Sequence, residues 1–290
     1  RMLHEKLDQT VLRKLDLPPG ENPDLTEWYE FLEGVKNPEY DVNVGLVGKY
    51  VELHDAYKSI SESFVHGGSA NKCRVHTKLI SSEAIDETNI SEILRDLDGI
   101  LVAPGFGSRG IDGKIATVKY ARENNIPFFG ICLGMQCAVI EFARNVLGFT
   151  DAHTTEIDHK TKYPVIDLME EQKNITYMGG TMRLGGYRCV LDPNSRAYRI
   201  YGSKEIIERH RHRYEFNNKY LDDFIKKGMI PAGINPESNL VEIIEIPSHR
   251  WFTGVQFHPE YSSTVVKPHP LFVDFIRACI EYNKEKKSSN

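Results

Sequence analysis

Paired cysteines are missing from this sequence. Its 290 residues include five cysteines, and no two of them are spaced as Cys-x-x-Cys. An odd number of cysteines without such spacing argues against a disulfide scaffold and against a zinc site. The five are Cys73, Cys132, Cys137, Cys189 and Cys279. We therefore expect no bound metal.

Long apolar runs are also absent. No stretch approaches the roughly 20 apolar residues that span a membrane, and the opening RMLHEKLDQT lacks the apolar core of a signal peptide. We expect a soluble, cytoplasmic protein with no membrane partner. Its 36 basic and 41 acidic residues give a formal net charge of -5, which offers no reason to expect a nucleic-acid partner.

Short β-rich runs alternate with helical patterns from Asn43 to Thr150. This alternation predicts an α/β fold with a mostly parallel, doubly wound sheet flanked by helices. After Thr150, β-rich segments separated by polar turns predict an additional antiparallel β-rich part. These segments are YPVIDLM, TMRLGGYRCVL, RYEFN, LVEIIEI and WFTGVQFHPE.

The two ends of the chain differ in composition from this central part. Residues 1–40 contain two short amphipathic stretches around LPPGENP, and we interpret them as an interdomain linker with short helices. In the second stretch, Leu25, Trp28, Leu32 and Val35 are predicted to share one helical face. Residues 41–283 are expected to form one domain, and residues 284–290 a disordered tail.

Cys132 lies at the junction of a predicted strand and a predicted helix. The flanking Gly130 and Gly134 favour a tight strand-to-helix turn of the nucleophile-elbow type, with cysteine where hydrolases often carry serine. At a helix N-terminus, the macrodipole and the free backbone amides favour the thiolate. The following helix is predicted to be amphipathic. Its apolar face would contain Met135, Val139, Phe142, Ala143 and Val146.

A cysteine nucleophile needs a base, and His258 is the strongest candidate. The segment TGVQFHPE places His258 at the end of a β-rich strand, where active sites of doubly wound sheets gather, and Glu260 would orient its imidazole. The other histidines have simpler interpretations as surface residues or as part of the basic run at 209–213, with His54 ambiguous. The predicted surface group is His4, His66, His76, His153, His159, His249 and His269, and His210 and His212 lie in the basic run.

The segment ILVAPGFGSRG supplies a glycine-rich loop after the strand that precedes the nucleophile's strand. Its glycines, Gly105, Gly107 and Gly110, allow a backbone to approach a ligand closely. We interpret it as an oxyanion hole, in which backbone N–H groups stabilise developing negative charge. The rival interpretation, a phosphate-binding loop, lacks the Gly-Lys-Ser/Thr ending.

The loop, the elbow GICLGMQ and the segment FHPE occur in the order found in the triad-type class I glutamine amidotransferase domain, which this chain resembles. Longer stretches are similar to the glutaminase domain of the CTP synthase family, and PDLTEWYEFL is similar to that family's interdomain linker. These stretches are FGSRG, CLGMQ, EFARNVLG, GGTMRLGG, ERHRHRYE, LVEIIEIP and HPLF. The resemblance implies hydrolysis of glutamine to glutamate and ammonia through a thioester.

The resemblance also implies roles for individual residues. The catalytic triad would be Cys132, His258 and Glu260. The backbone N–H groups of Gly105 and Leu133 would hold the oxyanion. The elbow residues Leu133, Gly134, Met135 and Gln136 would bind the substrate, with Glu156 at its ammonium and Arg213 at its carboxylate. The basic run leaves Arg209 and Arg211 open as alternatives to Arg213. The family usually has glycine at position 104, where this chain has Pro104, which has no N–H to donate.

In that family the ammonia aminates UTP to CTP on an N-terminal synthetase domain that uses ATP and magnesium. This chain contains no such domain, so we expect a fragment, with no cofactor of its own and with homo-oligomers in the full-length enzyme. Three alternatives stay open: the glutaminase of another amidotransferase such as GMP synthetase, a hydrolase of γ-glutamyl peptides, and a non-catalytic partner-binding domain.

Overall fold

The computed structural model describes residues 5–18, 20, 23–53, 55–168 and 182–288. Several features singled out above lie outside these residues in whole or in part: His4, part of LPPGENP, His54, the last residue of YPVIDLM, the starts of TMRLGGYRCVL and GGTMRLGG, and the last two residues of the predicted tail.

Helices occur at both ends of the chain and between the strands. In chain order they are α1 (Leu7–Lys14), α2 (Thr26–Lys36), α3 (Lys58–Ala70), α4 (Ile90–Leu94), α5 (Ile111–Glu123), α6 (Leu133–Asn145), α7 (Arg196–Tyr201), α8 (Leu221–Lys226) and α9 (Pro270–Ser288).

Strands of the described residues form two sheets. The strands are β1 (Tyr40–Gly48), β2 (Cys73–Ser81), β3 (Gly99–Val102), β4 (Phe128–Ile131), β5 (Ala152–Thr154), β6 (Tyr163–Leu168), β7 (Arg183–Leu191), β8 (Glu205–His212), β9 (Tyr214–Phe216), β10 (Ile230–Ile234), β11 (Val241–Glu245) and β12 (Phe252–Val255). The large sheet has nine strands in the order β2-β1-β3-β4-β12-β11-β10-β7-β8, and β5-β6-β9 form the small one.

Five neighbouring strands, β2, β1, β3, β4 and β12, are parallel. The core strands β3, β4 and β12 are buried along their whole length, as expected for a parallel sheet covered by helices on both faces. The remaining strands, β11, β10, β7 and β8, continue the sheet in antiparallel fashion. The predicted fold class is therefore confirmed.

Two apolar cores cover the two faces of the large sheet. One contains apolar side chains of α4, α5 and α6, and the other contains those of α3, α7 and α9. Helix α6 is buried on every side from Leu133 to Ala143, because the second sheet covers the face that points away from the large one. The predicted single apolar face therefore included too few of the residues that this helix buries.

The segment 209–213 is largely strand rather than a solvated basic run. In β8, Arg209 and Arg211 are exposed, while His210 and His212 are buried. Because side chains alternate between the faces of a strand, a run of basic residues can bury every second one. The charge pattern concealed this strand.

The N-terminal residues form the two predicted helices, but the buried face of α2 differs from the prediction. Trp28 and Val35 are exposed. The contact with α3 is instead made at Phe31 and Gly34: the Ser69 hydroxyl donates to the Phe31 carbonyl at 2.8 Å, and a Cβ at Gly34 would lie 2.5 Å from the Ser69 carbonyl oxygen. Helix α1 has no buried residue.

Residues 284–288 are helical, so the predicted disordered tail is wrong for this part. Helix α9 runs to Ser288 because the core of the domain holds its last turns. Lys286 Nζ lies 2.7 Å from Asp98 Oδ1, and Asn283 donates to Asp98 Oδ2 at 2.9 Å. No helix of the described residues is long and apolar enough to cross a membrane.

We predict that Asp98→Ala lowers the free energy of unfolding by about 2–3 kcal/mol, because the buried carboxylate pairs with Lys286 and accepts hydrogen bonds from Asn283 and from the Asn43 backbone N–H at 2.8 Å. Urea denaturation measures the change. The control is Glu285→Ala on the same helix, which removes an exposed pair with Arg250 and should cost much less. Equal losses in the two variants would contradict this account of the helix end.

Candidate active site

Three neighbouring parallel strands end at the same edge of the large sheet. The glycine-rich loop follows β3, Cys132 follows β4, and His258 follows β12. The register pairs Val255 of β12 with Ile131 of β4, and Val102 of β3 with Gly130. Since the carboxyl ends of parallel strands meet at one edge, segments more than 100 residues apart in the sequence are brought together here.

Cys132 itself adopts the unusual backbone conformation of the turn. Its φ is 51° and its ψ is -105°, a combination that costs a non-glycine residue on the order of 1–3 kcal/mol. Its backbone N–H donates to the Val255 carbonyl at 2.7 Å. A Cβ at Gly134 would lie 2.1 Å from the Val102 carbonyl oxygen, so only glycine allows α6 to pack this closely against β3. The strained backbone conformation of the turn is at Cys132. Cys132 is 2% exposed.

His258 and Glu260 form a buried pair beside Cys132. Nδ1 of His258 lies 2.8 Å from Glu260 Oε1, which leaves Nε2 for the cysteine. Burial lowers the pKa of His258, but its interactions with Cys132 and Glu260 outweigh burial and raise the pKa to about 11. The imidazole is therefore protonated at neutral pH, as a proton donor to a leaving amine must be.

The loop after β3 is held by side chains from three directions. Lys49 Nζ donates to the Phe106 carbonyl, and Lys114 Nζ donates to the Ala103 carbonyl at 2.6 Å. The Gly107 N–H donates to Glu156 Oε1 at 2.9 Å. These contacts bring the predicted oxyanion loop and the predicted ammonium ligand into direct contact.

A hydrogen bond links Gln136 to the residue that follows Arg213. Gln136 Nε2 on α6 donates to the Tyr214 carbonyl at 2.9 Å, which ties the first turn of α6 to the residue after Arg213. Arg213 is half-buried between β8 and β9, whereas Arg209 and Arg211 are exposed on β8. Of the three arginines, this orientation favours Arg213 as the one near the elbow.

Sequence reasoning missed two polar side chains at this site. Gln256 is buried, its Nε2 lies 3.7 Å from Cys132 Sγ, and Gln136 Nε2 donates to its Oε1 at 3.3 Å. Gln256 lies two residues before His258, and the alternation of side chains along an extended chain could have identified it. Lys114 is buried below the glycine-rich loop, and its place in the first turn of a helix gave no such signal.

Several histidines predicted to lie at the surface are buried: His66, His249 and His269, together with His210 and His212 of the basic run. Burial lowers the pKa of His210 to about 3 and that of His249 to about 4. Both are therefore neutral at pH 7, in contrast to His258, so the acid–base assignment is unaffected.

Comparison with known proteins places this geometry in a family. The model of the glutamine amidotransferase class-I family matches residues 52–278. The chain belongs to the class I glutamine amidotransferases. The resemblance that the motifs indicated is therefore confirmed.

Relatives narrow the placement within the family. A CTP synthase of Flavobacterium johnsoniae is 58% identical over 284 residues, which cover 98% of this chain and 53% of that protein. A CTP synthase of Cytophaga hutchinsonii is 60% identical over 286 residues, covering 99% of this chain and 53% of that protein. The chain thus spans about half the length of the curated relatives it matches.

A solved structure agrees with these matches. The glutaminase domain of Trypanosoma brucei CTPS with bound acivicin has a TM-score of 0.77 and 38% sequence identity, covering 83% of this chain and 94% of that one. The chain is thus a class I amidotransferase domain of the CTP synthase type, and neither the GMP synthetase type nor a non-catalytic domain is favoured.

We predict that a chloroketone analogue of glutamine adds once to this chain, at Cys132. Burial raises the pKa of Cys73 to about 12 and that of Cys137 to about 11, and it also raises the pKa values of Cys189 and Cys279. These four thiols should not react at neutral pH. Intact mass and peptide mapping identify the adduct, and Cys132→Ala should give none. Labelling of Cys137 or Cys189 in the wild-type chain would contradict the assignment.

Proposed function

We propose that this chain hydrolyses L-glutamine to glutamate and ammonia by way of a thioester on Cys132. The observation that carries the proposal is the meeting of the loop, the cysteine and the histidine at the ends of β3, β4 and β12. A nucleophile, a proton donor and preorganised N–H groups for the oxyanion are the three parts that acyl transfer needs.

In the first half of the reaction, the Cys132 thiolate attacks the carboxamide carbon of glutamine. The carbonyl oxygen becomes an oxyanion, which the N–H groups of Leu133 and Gly105 stabilise. The N–H of Leu133 suits this role because the first N–H groups of a helix have no intrahelical acceptor. His258 then donates its proton to the nitrogen, the carbon–nitrogen bond breaks, and ammonia leaves a thioester on Cys132.

In the second half, neutral His258 removes a proton from water, and the resulting hydroxide attacks the thioester carbon. The carbon–sulfur bond breaks, glutamate leaves, and the cysteine returns to the thiolate beside a protonated His258. Glu260 keeps the Nδ1 proton of His258 hydrogen-bonded at 2.8 Å throughout, so Nε2 faces the reacting atoms in both halves.

The free amino acid would be recognised at both of its charges. Glu156 and Gln136 would bind the ammonium, and Arg213 would bind the carboxylate in the charge-assisted geometry typical of arginine. Gly134 and Met135 would line the pocket beside Leu133. Glu156 supports this assignment because it already accepts the Gly107 N–H, which links substrate binding to the oxyanion loop.

The ammonia would serve the ATP- and magnesium-dependent amination of UTP to CTP on a synthetase domain of the same polypeptide, in a cytoplasmic enzyme that forms homo-oligomers. The size of the matched relatives, about twice that of this chain, supports such a partner domain. Residues 1–40 would connect the two domains. Helix α1 exposes the apolar residues Leu7 and Val11, which suit a contact with the synthetase domain.

We predict that Cys132→Ala and His258→Ala each abolish thioester formation, since general base help alone is commonly worth roughly 100- to 10,000-fold. Glu260→Ala should leave a remnant, because an orienting group contributes less than a nucleophile or a base. Quench-flow mass spectrometry and ammonia release measure the two steps.

The matched control for these variants is His269→Gln. His269 is buried and forms a histidine–carboxylate pair of the same length, 2.8 Å, with Glu208, but it lies outside the proposed triad. The His269→Gln variant should therefore hydrolyse glutamine at the wild-type rate. Wild-type turnover in His258→Ala would refute the mechanism.

We further predict that the isolated chain is a slow glutaminase that the separately expressed synthetase domain accelerates in the presence of UTP, ATP and GTP. The loop at 104–109 is partly exposed, and the loss of one oxyanion donor costs on the order of 100- to 1000-fold in rate. Ammonia release measures the acceleration, while alkylation of Cys132 by the chloroketone should already occur without the partner.

A double variant tests the contact surface. Val11→Asp on α1 combined with Leu15→Asp at the residue that follows α1 should reduce the response to the partner, whereas Ile207→Asp, another exposed apolar position on β8, should not. The coupling is disproved if the isolated chain hydrolyses glutamine as fast as the reconstituted pair.

A further inference from the structure

Lys114 is a fully buried lysine in the first turn of α5, with no exposed surface. Buried cations are ordinarily paired with carboxylates, as Arg183 is with Glu215 and Glu242 in this protein. In the described part of the chain, Lys114 forms no ion pair with a carboxylate. Its hydrogen-bond acceptor there is the neutral carbonyl of Ala103, 2.6 Å away.

The position of this ammonium relates it to the active site. A Cβ built on Gly105 would lie 3.8 Å from Lys114 Nζ and 3.5 Å from Leu133 Cδ2. The ammonium therefore lies directly behind the loop whose Gly105 N–H is proposed to hold the oxyanion. Cys137 and Cys132 both lie close enough to act electrostatically on Lys114, and Cys137 stays protonated at neutral pH because burial raises its pKa to about 11.

The hydrogen bond fixes the direction of a donor. Lys114 holds the plane of the Ala103–Pro104 peptide through its carbonyl, and the ring of Pro104 fixes φ near −65°. With the plane and φ fixed, only ψ of Pro104 is left to set where the next N–H, that of Gly105, points. Proline at this position thus removes one donor but also restricts the motion of the next one.

We propose that Lys114 is a positioning residue for glutamine hydrolysis, which aims the Gly105 N–H through the Ala103 carbonyl and places a positive charge behind the forming oxyanion. This proposal rests on the proposed function. It accounts for a buried charge without a carboxylate, because the compensating negative charge arises only during the reaction.

A pH dependence follows from the same arrangement. The groups that act on the ammonium are Cys137 on α6, Lys49 at the end of β1 and Cys132 at the start of α6. Burial lowers the pKa of Lys114 to about 8, with a smaller contribution from Lys49. The positive charge is therefore present below about pH 8 and is lost as the pH rises, so kcat should fall on the alkaline side.

The test is Lys114→Met, which keeps the length of the side chain but removes the charge and the donor. The control is Thr117→Val, one turn further along α5, where a buried hydroxyl bonded to the Gly113 carbonyl at 2.7 Å is lost without a contact to the loop. Both are measured in the full-length protein that contains this chain, by ammonia release from glutamine, with kcat and KM determined across pH, and by thermal unfolding.

We expect Lys114→Met to lower kcat by about 10- to 100-fold with KM nearly unchanged, to lack the alkaline decline near pH 8, and to unfold at the wild-type temperature or above, because a buried charge has been removed. Thr117→Val should keep the wild-type kcat and pH profile. A kcat in Lys114→Met equal to that of the wild type, or a loss shared with Thr117→Val, would overturn the role of Lys114 alone. No ammonia release by the wild-type enzyme would overturn the proposed function as well.

Discussion

The backbone of Cys132 is the constraint on which the site depends. Its positive φ is tolerated because parallel pairing on both sides of β4 leaves the chain no alternative: the Cys132 N–H is bonded to Val255 of β12, and Gly134 is pressed against the Val102 carbonyl of β3. The same pairing that strains Cys132 therefore brings the loop and His258 to it. Strain of this kind is sustained only where the surroundings over-determine the conformation.

Charge is distributed unevenly among the buried histidines, and the difference has a simple cause. His210 lies 3.6 Å from the carboxylate of Glu242, but that carboxylate already pairs with Arg183, whose charge adds to burial in lowering the pKa of His210. For His258, the interactions with Cys132 and Glu260 both favour the charged form and outweigh burial. At neutral pH, His258 is thus charged whereas His210 is neutral.

The sequence predicted those parts of the fold in which one physical signal dominates. Apolar runs such as those of β3 and β4 indicated buried parallel strands, and the glycines around Cys132 indicated the elbow. Prediction failed where two signals compete. The charges of β8 concealed a strand with buried His210 and His212, and the lysines at the end of α9 concealed contacts with Asp98. The place of Lys114 below a loop depends on tertiary packing, which local patterns do not encode.

The strand ends and the loop differ in how firmly they are held. Cys132 and His258 are anchored by backbone hydrogen bonds of adjacent elements, whereas the loop is held by the side chains of Lys49, Lys114 and Glu156, and its Phe106 is 45% exposed. Side-chain contacts can be rearranged at small cost, while a paired strand cannot move without breaking the sheet. Control of such a site would therefore act on the loop, since displacing the loop would move the proposed oxyanion donors and leave Cys132 and His258 in place.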